Sequence, residues 1–220
     1  MKEVVWSAIG AGGENQYAVN DYSHIDEVLR MAEIYPNVTG AVLDDFFHRE
    51  EAPGRNIGRH SVESVRNMQT KLHSFSKRKL DLWLVLYDYQ LDIPSLDDYL
   101  NLFDIITFWT WEGSELSNMD ANLKKCIRRT PNKKHMAGCY LWNYGERKPL
   151  TLDQMKYQLD RYYHWLRNGD IEGLIFCSNS TVPDPGIGEG VYIDHYNTLL
   201  NCVEYTKKWI AEVGDEIGSS

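Results

Sequence analysis

The sequence predicts an α/β protein with a parallel sheet, built from six βα units, and three observations predict it. Apolar runs alternate with amphipathic helical stretches along the whole chain. Four of the runs end in acids and aromatics: Asp44-Asp45, Tyr87-Asp88-Tyr89, Trp109-Thr110-Trp111-Glu112 and Tyr140-Leu141-Trp142-Asn143-Tyr144. Within the runs, one parity is aliphatic and the other bulky or polar. Ligand sites in parallel α/β folds lie at the C-terminal ends of the strands, so these acids and rings stand where chemistry is expected.

The elements follow in order. Val4–Ile9 is an apolar run closed by Gly10-Ala-Gly-Gly13, a strand and a loop without the Gly-x-Gly-x-x-Gly spacing of a dinucleotide site. Ser23–Tyr35 is a helix: Ser23-x-x-Asp26 offers a cap, Ile25, Val28, Leu29 and Ala32 recur at helical spacing, and Pro36 stops it. Thr39–Phe47 is the strand that delivers Asp44 and Asp45. The polar, turn-rich stretch from Phe47 to His60 exceeds the ~2–6 residues of an ordinary βα loop and is expected to cover a site. Ser61–Phe75 is a helix with Val62, Val65, Met68 and Leu72 on one side, and Leu82–Tyr89 is the third strand. A short helix from Ser95 to Phe103, a strand over Asp104–Trp111 and a helix over Leu116–Arg129 come next. Met136–Tyr144 is the fifth strand, Thr151–Arg167 a helix opened by the capping box Thr151-x-x-Gln154, and Ile171–Cys177 the sixth strand. A long helix from about Tyr192 to Val213 closes the chain.

Six units are two short of a closed (βα)8 barrel. Two architectures therefore stand: a (βα)8 barrel lacking its first two units, or an open six-stranded parallel sheet, in either case as one domain over residues 1–220. Strand parity favours the barrel. Leu82, Leu84 and Leu86 suit an outer face under helices, which turns Trp83, Val85, Tyr87 and Tyr89 inward. The same rule turns Thr107, Trp109 and Trp111 inward, with Gly138, Tyr140, Trp142 and Tyr144, and on the Asp44 strand Gly40, Val42 and Asp44. Asp44 is thus the leading catalytic candidate. Asp45, Asp88 and Glu112 fall on the other parity but lie where strand becomes loop, and they remain candidates.

Composition bounds the partners. Among 220 residues, 23 Lys and Arg oppose 32 Asp and Glu, a net charge of −9 without basic runs, which disfavours nucleic acid and suits a neutral or cationic small ligand. Seven Trp and fourteen Tyr supply platforms for sugar faces. Cys126, Cys139, Cys177 and Cys202 lack Cys-x-x-Cys spacing and are expected as buried free thiols. The opening Met-Lys-Glu-Val-Val-Trp has no export-signal core, and no run nears the ~18 apolar residues of a membrane span. The expectation is a cytoplasmic protein without a membrane partner, an upstream targeting segment being left open.

Acids at strand ends, Trp and Tyr at the mouth and long loops on one face resemble a glycoside-hydrolase-type TIM barrel. With two units missing, the Asp44 strand corresponds to the fourth of eight, where chitinase-like and many other barrel glycosidases carry a catalytic carboxylate. Of the chitinase-like line Asp-Gly-x-Asp-x-Asp-x-Glu, Thr39-Gly40-Ala41-Val42-Leu43-Asp44-Asp45-Phe46 keeps the glycine and one aspartate and lacks the glutamate. The resemblance implies a hydrolase in which one carboxyl protonates the leaving oxygen and a second is nucleophile or base. At ~4.8 Å per strand, Asp88 would stand near the ~5–5.5 Å of a retaining pair with Asp44, and Glu112, two strands away, nearer the wider inverting spacing. Glu112, flanked by tryptophan, is preferred. Substrate-binding candidates are Tyr87, Tyr89, Trp109, Trp111, Tyr140, Trp142, Asn143 and His48, with Tyr87, Trp109, Tyr140 and Trp142 expected around one cleft.

Other readings stand beside this one. Asp44 and Asp45 suit a cap or an ion pair with Arg49, Arg55 or Arg59, and the tryptophans suit barrel core. A divalent-metal sugar enzyme would gather Asp44, Asp45 and His48 with Asp88 or Glu112. His24, His60, His73, His164 and His195 fall on helices or their caps, so no metal or cofactor is expected. A non-catalytic carbohydrate-binding barrel would keep the aromatics without the acid. A small-molecule or oligosaccharide substrate is the expected partner, with a second copy of the chain as a further candidate.

Overall fold

A computed structural model of the chain describes residues 2–9, 23–177 and 196–217. The elements are β1 (Val4–Ile9), α1 (Ser23–Ile34), β2 (Val38–Leu43), α2 (Val62–His73), β3 (Asp81–Tyr87), α3 (Asp97–Leu100), β4 (Ile105–Trp109), α4 (Met119–Arg129), β5 (Lys134–Tyr140), β6 (Trp142–Asn143), β7 (Lys148–Pro149), α5 (Leu152–Asn168), β8 (Gly173–Cys177) and α6 (Tyr196–Ile217). The glycine loop after Ile9, the side chain of Ser23, His195 and the expected helix start at Tyr192 lie outside the described residues.

Six strands form one parallel sheet in the order β1-β2-β3-β4-β5-β8. Each strand neighbours the next, with no reversal of direction, which is the winding of a barrel and not of a doubly wound sheet. The sheet is open, ending at β1 and β8, and is consistent with part of a TIM barrel. The small β6–β7 hairpin is antiparallel and separate. Among the described residues, no helix is long and apolar enough to cross a membrane.

The chain divides into two compact units, Met1–Thr107 with Lys125–Lys134, and Phe108–Lys124 with His135–Ser220. In the first, Ala41 and Leu43 of β2 and Leu82, Leu84 and Leu86 of β3 are fully buried, as are Val28 of α1 and Val65 and Leu72 of α2. Each buried Leu or Val side chain contributes roughly 1.5–3 kcal/mol, so the aliphatic parity of these strands is what holds the helices on. Ser61 caps α2 by accepting the Ser64 N–H at 3.2 Å. Asp104 ties three elements together, accepting from the Leu82 N–H (2.9 Å), His73 (2.9 Å) and Lys79 (2.7 Å). Burial raises its pKa, but the hydrogen bonds from Lys79, His73 and the Leu82 N–H outweigh that and hold it below the usual carboxylate value. Arg129, at the end of α4, forks onto Asp97 (2.6 Å) and the carbonyls of Leu91 (2.8 Å) and Ile93 (2.9 Å).

In the second unit, β5 and β8 pair from Met136↔Gly173 to Tyr140↔Cys177. Helix α5 has the expected capping box: Thr151 accepts the Gln154 N–H (3.2 Å) and Gln154 accepts the Thr151 N–H (3.0 Å). It ends at Gly169, whose φ of +73° gives the left-handed cap. Its inner face reaches the sheet through Tyr162, donating to the Gly138 carbonyl at 2.7 Å, and Gln158, donating to that of Tyr140 at 3.1 Å. None of the four cysteines forms a disulfide; Cys126, Cys139 and Cys202 are buried as expected, and Cys177 is half-buried.

Strand ends depart from the expected bounds for local reasons. β3 stops at Tyr87, because Gln90 accepts the Tyr87 N–H (3.0 Å) and Asp88 the Tyr89 N–H (3.0 Å), closing a 3-10 turn over Asp88–Gln90. β5 stops at Tyr140, because Trp142 and Asn143 pair with Pro149 and Lys148 instead of continuing. The expected helix start at Leu116 is a 3-10 segment, Gly113–Asn118, with α4 following from Met119.

Candidate functional site

In the first unit, β2 ends at Leu43 and places Asp44 and Asp45 at its C-terminal end. Asp45 has φ +48°, a left-handed conformation that aspartate tolerates better than most residues. That turn ends strand alternation at Asp45. Its backbone N–H donates to Asp44 Oδ1 at 2.9 Å, its carboxylate accepts the Tyr87 hydroxyl at 2.8 Å, and its carbonyl accepts Arg59 Nε at 2.6 Å. Fully buried Phe46 fixes the following backbone, edge-on to Tyr99 with ring centroids 5.6 Å apart. Asp44 is half-buried, and burial pushes its carboxyl up to about 6; the charge of Asp45 adds to the rise and the Asp45 N–H opposes it.

Beside the pair, Tyr87 and Tyr89 stack at 5.3 Å with planes 8° apart. Tyr87 is buried and Tyr89 exposed. The Arg49 guanidinium lies 4.7 Å from the centre of the Tyr89 ring. Burial, against the opposing charge of Arg49, pushes the Tyr89 phenol up to about 12, so it stays a neutral donor. Asp88 is buried and holds the turn through the Tyr89 N–H. His48 is half-buried at the root of the long loop, its backbone N–H donating to the Ile57 carbonyl at 2.8 Å. Arg55 donates to the Glu50 carbonyl (2.8 Å) and Arg59 to that of Asp45, so neither arginine is drawn to a carboxylate of the pair in these contacts. Among the described residues, no three His, Cys, Asp or Glu side chains come together as a metal site.

The second unit gathers the other aromatics. Trp109 packs on Tyr140 at 4.6 Å, and Tyr140 meets Tyr144 (4.7 Å) and Trp111 (6.1 Å) edge-on. Trp111 and Tyr144 stack at 6.0 Å. Trp109 is buried, whereas Trp111, Tyr140 and Tyr144 are half-buried and could present ring surface. Trp142 is also buried, lining a small cavity with Leu116, Leu150 and Gln158. Asn143 is buried as well; its side chain bonds to the Glu146 carboxylate and accepts the Glu146 N–H at 3.1 Å. Glu112 is half-buried with Gly145 tight against it: a Cβ on Gly145 would stand 2.3 Å from Glu112 Cγ.

Within the first unit the structure thus brings Asp44, Asp45, Tyr87 and Tyr89 together, and within the second Trp109, Trp111 and Tyr140, with Trp111, Glu112, Tyr140, Trp142 and Asn143 lining one small cavity. Asp88, Trp142 and Asn143 have structural partners. Sequence reasoning missed the seat of Arg49 on Tyr89, because a contact between a long loop and a distant turn leaves no periodic trace. It also missed Glu146, whose carboxylate is held below the usual value by hydrogen bonds from Lys148 and Ser114 against a small rise from burial. The only trace was its spacing of three from Asn143 in a turn.

Fold and geometry together define an α/β protein of partial-barrel type with a carboxylate pair at a strand's C-terminal end. No family model matches the chain, and no curated protein matches its sequence. Solved structures do. A putative alpha-L-fucosidase from Bacteroides thetaiotaomicron VPI-5482 superposes with a TM-score of 0.53 at 13% identity, over 84% of this chain and 61% of that one. An N-acetylneuraminate lyase from Proteus mirabilis gives a TM-score of 0.47 at 16% identity, over 81% of this chain and 57% of that one. The chain spans about three fifths of the length of these neighbours. At such identity the likeness to the Bacteroides protein is one of fold.

Proposed function

We propose that the protein is a glycosidase-like hydrolase acting on a carbohydrate, with Asp44 as the general acid. The observation that carries this reading is the Asp44 carboxyl: half-buried at a strand end, with a pKa raised to about 6 and a second carboxylate beside it. A general acid works best when its pKa lies near the working pH, and burial next to a like charge is how a carboxylic acid reaches that range. In the reaction the protonated Asp44 gives its proton to the glycosidic oxygen as the bond to the anomeric carbon breaks, and water then adds to that carbon and returns a proton to the Asp44 carboxylate, releasing the free sugar and the alcohol. Asp45 is the partner carboxyl group, positioned by the Tyr87 hydroxyl to face the positive character that develops on the sugar ring. Tyr89 offers an exposed ring beside the pair for a sugar face. The fold shared with a protein named as a fucosidase is a further support for a carbohydrate substrate.

The test is aglycone release from a panel of aryl glycosides. Asp44→Asn is expected to lower kcat by at least ~10²-fold with sugar binding retained. Because the acid must be protonated, wild-type kcat/KM should fall as pH rises through about 6. A glycoside that the wild type hydrolyses and Asp44→Asn cleaves equally well removes the assignment. Sugar binding without turnover by the wild type would favour the binding-barrel reading.

A further inference from the structure

Away from the carboxylate pair, the first unit carries an open groove of about 480 Å³ between the 47–60 loop and the 94–100 segment, and none of Asp44, Asp45, Tyr87 and Tyr89 lines it. Small-ligand sites run from roughly 300 to 1,000 Å³, so the space suits a ligand of a few rings or fewer.

Its walls are preformed. Phe47 and Gly58 make an antiparallel bridge, as do Ala52 and Arg55, and the Arg59 N–H donates to the Phe46 carbonyl at 3.0 Å. Gly54, at φ +72°, supplies the left-handed turn at the loop tip. Phe46 and Phe47 both pack edge-on to Tyr99, each at 5.6 Å, and the Tyr99 hydroxyl donates to the His60 carbonyl at 3.0 Å. The Ser95 hydroxyl donates to the Glu51 carboxylate and so joins the two walls. Little ordering entropy remains to oppose a ligand.

The lining sets the ligand class. Glu51 and Asp98 bring carboxylates, Arg55 a guanidinium, Asn56 an amide and Ser95 a hydroxyl, beside buried Ile57. Carboxylates outnumber the cation two to one, which disfavours a phosphate or an acid. A vicinal diol, each hydroxyl both donor and acceptor, matches the forks of carboxylate, amide and guanidinium. We infer that this groove is a second binding site, for a neutral saccharide, separate from the Asp44 carboxyl. Most of the polar lining is exposed, so each hydrogen bond to a ligand replaces one to water at little net gain, which places the affinity near millimolar. The inference does not depend on Asp44 acting as an acid.

The experiment is an amide NMR titration of the whole chain with methyl glycosides of neutral hexoses and N-acetylhexosamines, short neutral oligosaccharides, and a hexose phosphate as the anionic control. A neutral sugar is expected to shift amides of residues 51–57 and 95–99. Asp98→Ala and Asn56→Ala, both at exposed positions, should each weaken that binding by ~2- to 10-fold, the scale of one hydrogen bond made against water, while Asp44→Asn leaves it unchanged. The dispersion of the unliganded spectra checks that each variant is folded. No shift from any neutral sugar, tighter binding of the hexose phosphate, or shifts unaffected by both groove substitutions would overturn the site. Shifts lost in Asp44→Asn alone would also overturn it, since they would report the carboxylate pair; aglycone release tests that pair independently.

Discussion

Asp44 sits in a conflict between stability and chemistry. Its carboxyl has a pKa of about 6 in the folded chain, against 3.8 for an unperturbed aspartate. Between those values the unfolded chain has released the proton and the folded chain keeps it, so stability falls as pH rises through that window. Above about 6 both states are ionised and the full cost of a buried charge next to Asp45 stands. Asn carries no such charge. Asp44→Asn should therefore stabilise the fold at pH 7.5 by up to about 3 kcal/mol, at ~1.4 kcal/mol per tenfold change, and by little at pH 4. Urea unfolding at the two pH values checks it; an equal effect at both, or a loss of stability at pH 7.5, contradicts the environment assigned to Asp44. The aliphatic parity of β2 was legible in the sequence, since Ala41 and Leu43 are both fully buried just before Asp44. The left-handed turn at Asp45 was not, since it depends on the Tyr87 hydroxyl and Arg59, 42 and 14 residues away.

At the level of elements, β5 shows how a residue without a side chain positions a large one. An added Cβ on Gly138 would stand 1.9 Å from the Trp109 indole, which cannot retreat because its other neighbours include Tyr140 at 4.6 Å. Gly138→Ala is expected to cost at least ~3 kcal/mol, the upper range of overpacking. Trp109→Leu in the same chain should recover part of that loss, a coupling that a double-mutant cycle in urea measures. Additive losses would mean that the two residues do not meet. Sequence period and caps revealed the elements themselves: Thr151-x-x-Gln154 is the capping box of α5, and the leucines of β3 are its helix-covered face. Element ends were less legible. Tyr87-Asp88-Tyr89 and Tyr140–Tyr144 read as strand because aromatics favour strands, and they leave it because side chains and a hairpin take over their backbone hydrogen bonds.

For the molecule as a whole, the sequential strand order leaves two strands at the limits of the sheet, β1 and β8. β1 pairs with β2 on one side, from Val4↔Val38 to Ile9↔Leu43, and carries no strand on the other among the described residues. Its Trp6 is 40% exposed, where a soluble edge strand would commonly carry a lysine or a proline. An exposed tryptophan on such a strand favours association with another chain, while the net charge of −9 opposes it by repulsion. Salt decides between them, because near ~0.15 M the screening length is only ~8 Å and the repulsion fades while edge pairing persists. Sedimentation velocity should then show a mass that rises with protein concentration, more steeply at physiological than at low salt. Trp6→Lys should hold the chain at monomer mass under both conditions. A wild type that stays monomeric at hundreds of micromolar in either salt, or a lysine variant that associates as readily, would show that the β1 edge does not drive self-association.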